Sequence, residues 1–64
     1  MMKDPNRIWN ITNHIANRWH YNCPDWRFMQ LMSNFIAWLD HDPFYMEDDE
    51  FLQKFHEYMD ALHY

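Results

Sequence analysis

Three prolines punctuate this chain at equal intervals, Pro5, Pro24 and Pro43, and the sequence contains no glycine. A proline has no N–H to donate, and its ring clashes with the preceding turn, so it starts or stops regular structure rather than sitting inside it. Tight hairpins need residues that tolerate positive φ, glycine above all, and phosphate-cradling loops need glycine for close backbone approach. A chain without glycine is therefore poorly suited to a hairpin-rich sheet and to nucleotide binding by glycine-rich loops. What remains is a set of three segments, each opened by a proline.

Each segment carries a helical period. In the first, Asp4-Pro5 is a start signal, an Asp N-cap before a proline at the first helical position. Ile8, Ile11, Ile15 and Trp19 follow at spacings of three and four, with Asn10, Asn13, Asn17 and Arg18 off that stripe. The pattern predicts a helix over about residues 5–21, with Asn22 supplying the left-handed end and Pro24 forbidding continuation. Pro24-Asp25 opens the second, where Phe28, Leu31, Met32, Phe35, Ile36 and Leu39 form a broad stripe widened by Trp26, Met29 and Trp38. So wide a stripe predicts a central helix buried on two sides, ending near Asp40, because Asp42 precedes Pro43 and is biased away from helical geometry. In the third, Phe51, Leu52, Phe55, Tyr58, Met59 and Leu62 follow Glu47, Asp48, Asp49 and Glu50. Carboxylates suit a helix N-terminus, and Pro43-Phe44-Tyr45-Met46 is expected to pack back onto the second helix as a staple. The expected fold is an all-α, compact three-helix bundle forming one domain over 1–64, with helix 2 central.

At 64 residues a single core is only marginally adequate. Cys23 is the one cysteine, so neither an intramolecular disulfide nor a multi-cysteine zinc framework can supplement it. Bulk compensates: four Trp, four Tyr and five Phe stand in the chain, and each ring buries roughly 150–250 Å². That is more than one small core hides, which predicts large aromatics on the surface.

Charge divides unevenly. Residues 1–39 carry four basic side chains against Asp4 and Asp25, whereas residues 40–64 carry Lys54 against eight acids. The acidic end reads either as a solvated helix start or as a docking surface for a basic partner. Direct nucleic-acid binding is disfavoured, since phosphates would be repelled and no basic stripe with interleaved aromatics exists. The start MMKDPNR is charged and no apolar run is long enough to span a bilayer, so no signal peptide or membrane segment is expected. With a lone thiol, that places the chain in the cytoplasm.

Chemistry-bearing clusters are few. His56, Asp60 and His63 fall at i, i+4 and i+7, a spacing zinc ligands use, and His20 with Cys23 makes an H-x-x-C pair. The opposing reading, solvent-facing histidines near a frayed terminus, is preferred, and no metal or other cofactor is expected. Cys23 near His20 resembles a thiolate–imidazole pair, but so short a chain has little room for an oxyanion hole and a pocket. Cys23 is read as a small apolar filler of the inter-helix turn, and no enzymatic activity is expected. In NCPDWRF, residues 22–28, Trp26 and Arg27 are of the residue types most enriched at binding hot spots. The alternative has Trp26 packing under helix 1 against Trp19 while Arg27 pairs with an acid of the third segment.

The words DPNRI at 4–8, CPDWRF at 23–28, QLMSNF at 30–35 and DPFYMEDDEF at 42–51 resemble those of a small family of bacterial and phage-borne proteins without assigned function. Members often carry glycine in the Arg-Phe-x-Gln-Leu segment, where this chain has Met29. The resemblance implies a compact all-α unit in a mobile-element setting, and no chemistry. The resulting expectation is a non-catalytic protein-binding module using Trp26, Arg27, Trp38, Phe44 and Tyr45 with Glu47, Asp48, Asp49 and Glu50. Its partner would be a protein such as a basic nucleic-acid-processing enzyme. The alternative is a structural homodimer whose interface buries the surplus aromatics.

Overall fold

In the computed structural model, which describes residues 3–62, both Asp-Pro pairs act through the same local bond. Asp4 Oδ1 accepts the N–H of Asn6 at 3.0 Å, and Asp42 Oδ1 accepts the N–H of Phe44 at 3.1 Å. An aspartate bonding the backbone two residues on fixes a turn around the proline between them. Behind the first of these turns lies α1 (Arg7–Asn22). Its entry is tight, because the N–H groups of Arg7, Ile8 and Trp9 bond carbonyls only three residues back, at 3.1–3.2 Å. The helix starts two residues later than the sequence predicts, since Pro5 belongs to the turn.

The end of α1 differs from expectation. Asn22 stays helical, and the chain leaves through Cys23 at φ −152°, ψ 60°. The reason is Pro24, which excludes the helical region for the residue before it. Pro24 and Asp25 do not open the next helix either. They are the middle of a turn closed by the Trp26 N–H on the Cys23 carbonyl at 3.1 Å, with proline in its favoured second position. Cys23 has no side-chain oxygen with which to repeat the Asp-Pro bond.

Helix α2 (Phe28–Leu39) begins only after the extended Arg27. The Gln30 side chain accepts the Arg27 N–H at 3.3 Å, one half of a capping box, and a guanidinium without an acceptor cannot supply the other half. The helix stops at Asp40, at φ 62° and ψ 25°, the one positive φ among the described residues. The left-handed residue that glycine would provide is thus Asp40, not Asn22. Helix α3 (Asp48–Ala61) follows the extended Glu47, with Asp48, Asp49 and Glu50 in its first turn, as the acidic run predicts.

The core is Cys23, Leu31, Phe35, Phe55, Tyr58 and Met59. Phe35 is its hub. Its ring meets Phe51, Phe55 and Tyr58 at centroid distances of 5.4–5.8 Å, and so touches three successive turns of α3. The architecture is the expected all-α three-helix bundle, with no strand among the described residues. The central position, however, falls to α3, which packs against both other helices, rather than to α2. The apolar face of α2 is wider than its neighbours can cover, and Phe28, Met29, Ile36 and Trp38 remain exposed. The radius of gyration, 12.2 Å, exceeds the roughly 11 Å of a rounder domain this size.

Helix α1 has no fully buried residue. It runs parallel to α3, as the cross-helix pairs Arg7–Asp48, His14–His56 and Arg18–Asp60 show by ascending together along both chains. Among the described residues no helix is long and apolar enough to cross a membrane.

Candidate functional site

The residues expected to bind a partner divide between the two ends of α2, a helix about 18 Å long. Trp26 and Arg27 precede its first residue, while Phe44, Tyr45 and the acidic run follow its last. At the first end, Trp26 is half-buried against the core, and its carbonyl accepts the Trp19 indole N–H at 2.8 Å. The arrangement expected under helix 1 is therefore present. Arg27 is exposed and makes no ion pair with any described acid, so its suggested pairing with the third segment is not formed.

At the other end, Phe44 is 78% and Tyr45 90% exposed, and their rings pack edge-on against each other at 4.9 Å. The expected staple onto α2 is not made by these rings. The turn Asp42–Met46 closes through the Met46 N–H on the Pro43 carbonyl at 2.9 Å, leaving Pro43 and Met46 half-buried and Phe44 and Tyr45 at its outward tip. Trp38 is exposed along one edge while its ring lies near Phe35 at 6.2 Å and Tyr58 at 5.4 Å.

The four consecutive acids do not act alike. Glu47 takes the Lys3 ammonium at 2.9 Å, and Asp48 forms an ion pair with the Arg7 guanidinium, Nε to Oδ2 at 3.0 Å. The side-chain bond raises the Lys3 pKa, with the Glu47 charge acting in the same direction. Asp49 accepts the N–H of Glu50 at 2.9 Å, and neither Asp49 nor Glu50 faces a described cation. Half of the run is thus neutralised within the chain, and the other half is exposed in the first turn of α3 without a described cation.

A second polar cluster lies between α1 and α3. Arg18 donates from Nε to His56 Nδ1 at 2.9 Å and from Nη2 to the His56 carbonyl at 3.1 Å, and also pairs with Asp60. The remaining His56 nitrogen, Nε2, lies 3.1 Å from His14 Nδ1. Burial, then the Arg18 charge and then His14 lower the His56 pKa below its ordinary value, with Asp60 opposing. Sequence reasoning did not link the two helices here. The signal was present as matching i, i+4 pairs, His14 with Arg18 on α1 and His56 with Asp60 on α3.

This cluster bears on the metal reading of His56 and Asp60. The Arg18 guanidinium occupies the cation position between them, and His63 lies outside the described residues. Among the described residues no group of three His, Cys, Asp or Glu side chains converges on a point where a metal could sit. Cys23, 3% exposed, packs in the core, and burial pushes its thiol pKa up, opposite to what a thiolate nucleophile needs. The His20 ring instead packs edge-on against Tyr21 at 4.6 Å.

Two open cavities follow the flank of α1. One, about 220 Å³, is lined by Thr12, Ile15, Ala16, Trp19 and Phe28; the other, about 440 Å³, by Ala16, Asn17, Trp19, His20 and Pro24. Compared with family models, curated proteins and solved structures, the chain matches none.

Proposed function

We propose that the chain is a non-catalytic protein-binding module whose contact residues are the Phe44–Tyr45 tip, Trp38 near the end of α2 before it, and the carboxylates of Asp49 and Glu50 in the first turn of α3 after it. The exposure of those two rings carries the reading. Two neighbouring aromatics with most of their surface in water gain from burial when a pocket closes over them, and their packing on each other lowers the cost of side-chain ordering. Unpaired carboxylates beside apolar anchors favour a basic partner and speed its approach. Glu47 and Asp48 play a smaller part than the sequence suggests, because Lys3 and Arg7 already neutralise them. The partner class we favour is a nucleic-acid-processing enzyme whose basic groove the module fills, as an inhibitor carried by a phage or other mobile element.

The test is capture of host proteins with the wild type, a Phe44→Ser/Tyr45→Ser variant and an Asp49→Asn/Glu50→Gln variant, each checked for helicity. Support is a partner held by the wild type, lost with the ring variant and weakened by the charge variant. Equal capture by all three sinks the proposal. The exposed apolar surface of Trp9, Phe28 and Met29, of which Phe28 lines the smaller cavity along α1, favours a second reading, a homodimer covering these exposed aromatics. Sedimentation over a dilution series separates the two, since dimerisation there leaves Phe44 and Tyr45 exposed.

A further inference from the structure

We propose that His14, Arg18, His56 and Asp60 form a proton-operated clasp, closed while both imidazoles are neutral and opened, with release of α1 from α3, when either takes up a proton. The bonds fix the direction of every donor. Arg18 has no acceptor atom, so its Nε–H bond at 2.9 Å requires a lone pair on His56 Nδ1. A neutral imidazole carries one N–H, which must then be on His56 Nε2, aimed at His14 Nδ1 at 3.1 Å. His14 Nδ1 is accordingly the acceptor, and the His14 proton sits on Nε2. One donor thus orders two rings on two helices, and Asp60 balances the guanidinium charge that starts the chain.

Neither ring can gain a proton without breaking that order. A proton on His56 Nδ1 sets two donors and two cations 2.9 Å apart, and Arg18 cannot yield because its guanidinium stays charged. A proton on His14 Nδ1 faces the N–H of His56 Nε2, which cannot turn acceptor while Nδ1 is held by Arg18. Asp60 is the counter-ion that could favour the protonated form, and it is committed to Arg18. Among the described residues, α2 carries no titratable side chain, Lys54 and Glu57 pair with each other at 3.6 Å, and the Phe55 ring lies beside His56 at 6.4 Å.

The lowered His56 pKa agrees in sign. A group whose folded pKa lies below its unfolded value adds stability that is fully present above the unfolded value, about 6.5 for histidine, and lost as pH falls through the folded one. Because α1 has no fully buried residue, it is the helix this loss should free.

Nitrogen-15 spectra of the histidine rings in the intact chain at pH 7.5 should show both as the Nε2–H tautomer. Amide exchange corrected for the intrinsic pH effect should then show α1 protection falling by about tenfold between pH 7.5 and 5, with α2 changing less. A His14→Gln/His56→Gln variant should lose that pH response. Flat α1 protection in the wild type, or an Nδ1–H tautomer at His56, overturns the clasp. An unchanged pH response in a folded double variant does so as well; if that variant does not fold, the two wild-type measurements decide.

Discussion

Replacing Asp40 by glycine should stabilise this protein, although the substitution removes a side chain and adds none. Asp40 ends α2 in the left-handed region at φ 62°, and its carboxylate accepts no hydrogen bond among the described residues. A residue with a Cβ costs about 1–2 kcal/mol in this conformation, and aspartate sits toward the low end. Its negative charge also stands at the negative end of the helix dipole, which costs a further 0.3–1 kcal/mol or so at an exposed site. Glycine removes both costs and gives back roughly 0.5–1 kcal/mol through its greater freedom in the unfolded chain. The net expectation is a gain of about 0.5–1 kcal/mol. At about 4–8 °C per kcal/mol for a domain this size, Tm should rise by about 2–8 °C, as read by circular dichroism. Asp40→Asn removes the charge alone and should gain about 0.3–0.5 kcal/mol. Asp40→Ala removes the charge but keeps the Cβ, and should fall below Asp40→Gly by about 0.5–1 kcal/mol once glycine's freedom in the unfolded chain is subtracted. Should Asp40→Ala match or exceed Asp40→Gly, the backbone argument fails and only the charge remains.

Two other substitutions probe the interior. Phe35→Ala deletes the ring that meets three turns of α3 and should cost about 3–5 kcal/mol. A chain this short has only about 3–10 kcal/mol in total, so the variant should lose its cooperative urea transition; a loss below 1.5 kcal/mol would show that Phe35 is not the hub. Cys23 should react with a disulfide reagent at pH 8 at least about tenfold more slowly in the native chain than in urea, because burial disfavours the thiolate. Equal rates would show the α1–α2 turn to be open.

The number and class of the elements were legible because hydrophobic spacing and proline placement act locally. The start of α1 was legible to within two residues from Asp4-Pro5, although the bond from Asp4 to the Asn6 N–H makes Pro5 part of a turn rather than of the helix. Pro24 misled because it sits in a turn, as Pro5 and Pro43 also do, and the helix begins only at Phe28, after the extended Arg27. Which helix is central was not readable from stripe width, because a broad stripe describes what a helix could bury and not what its neighbours cover. The fate of the acids was hidden for a similar reason. Lys3 and Arg7 reach Glu47 and Asp48 only because α1 and α3 lie parallel. The cluster around His56 escaped a search for apolar spacing because it joins two helices through polar side chains.

That polar seam accounts for basic residues in a place where helix electrostatics disfavours them. Lys3 and Arg7 stand at or before the N-terminus of α1, against its dipole, and parallel helices also align their dipoles unfavourably. Both penalties are offset across the interface, since the acids that suit the start of α3 lie beside those cations. The pairs also choose the register. Apolar contacts of partly buried side chains distinguish poorly between α1 in place and α1 displaced by one turn, about 5.4 Å. Such a slip parts Arg7 from Asp48, Arg18 from Asp60 and His14 from His56 together. Exposed pairs contribute only about 0–1 kcal/mol each, so their role is to make alternatives worse rather than to hold the fold. Stability then comes mainly from the rings between α2 and α3, and specificity from the charges between α1 and α3, which makes α1 the helix whose attachment solution conditions can alter without melting the rest.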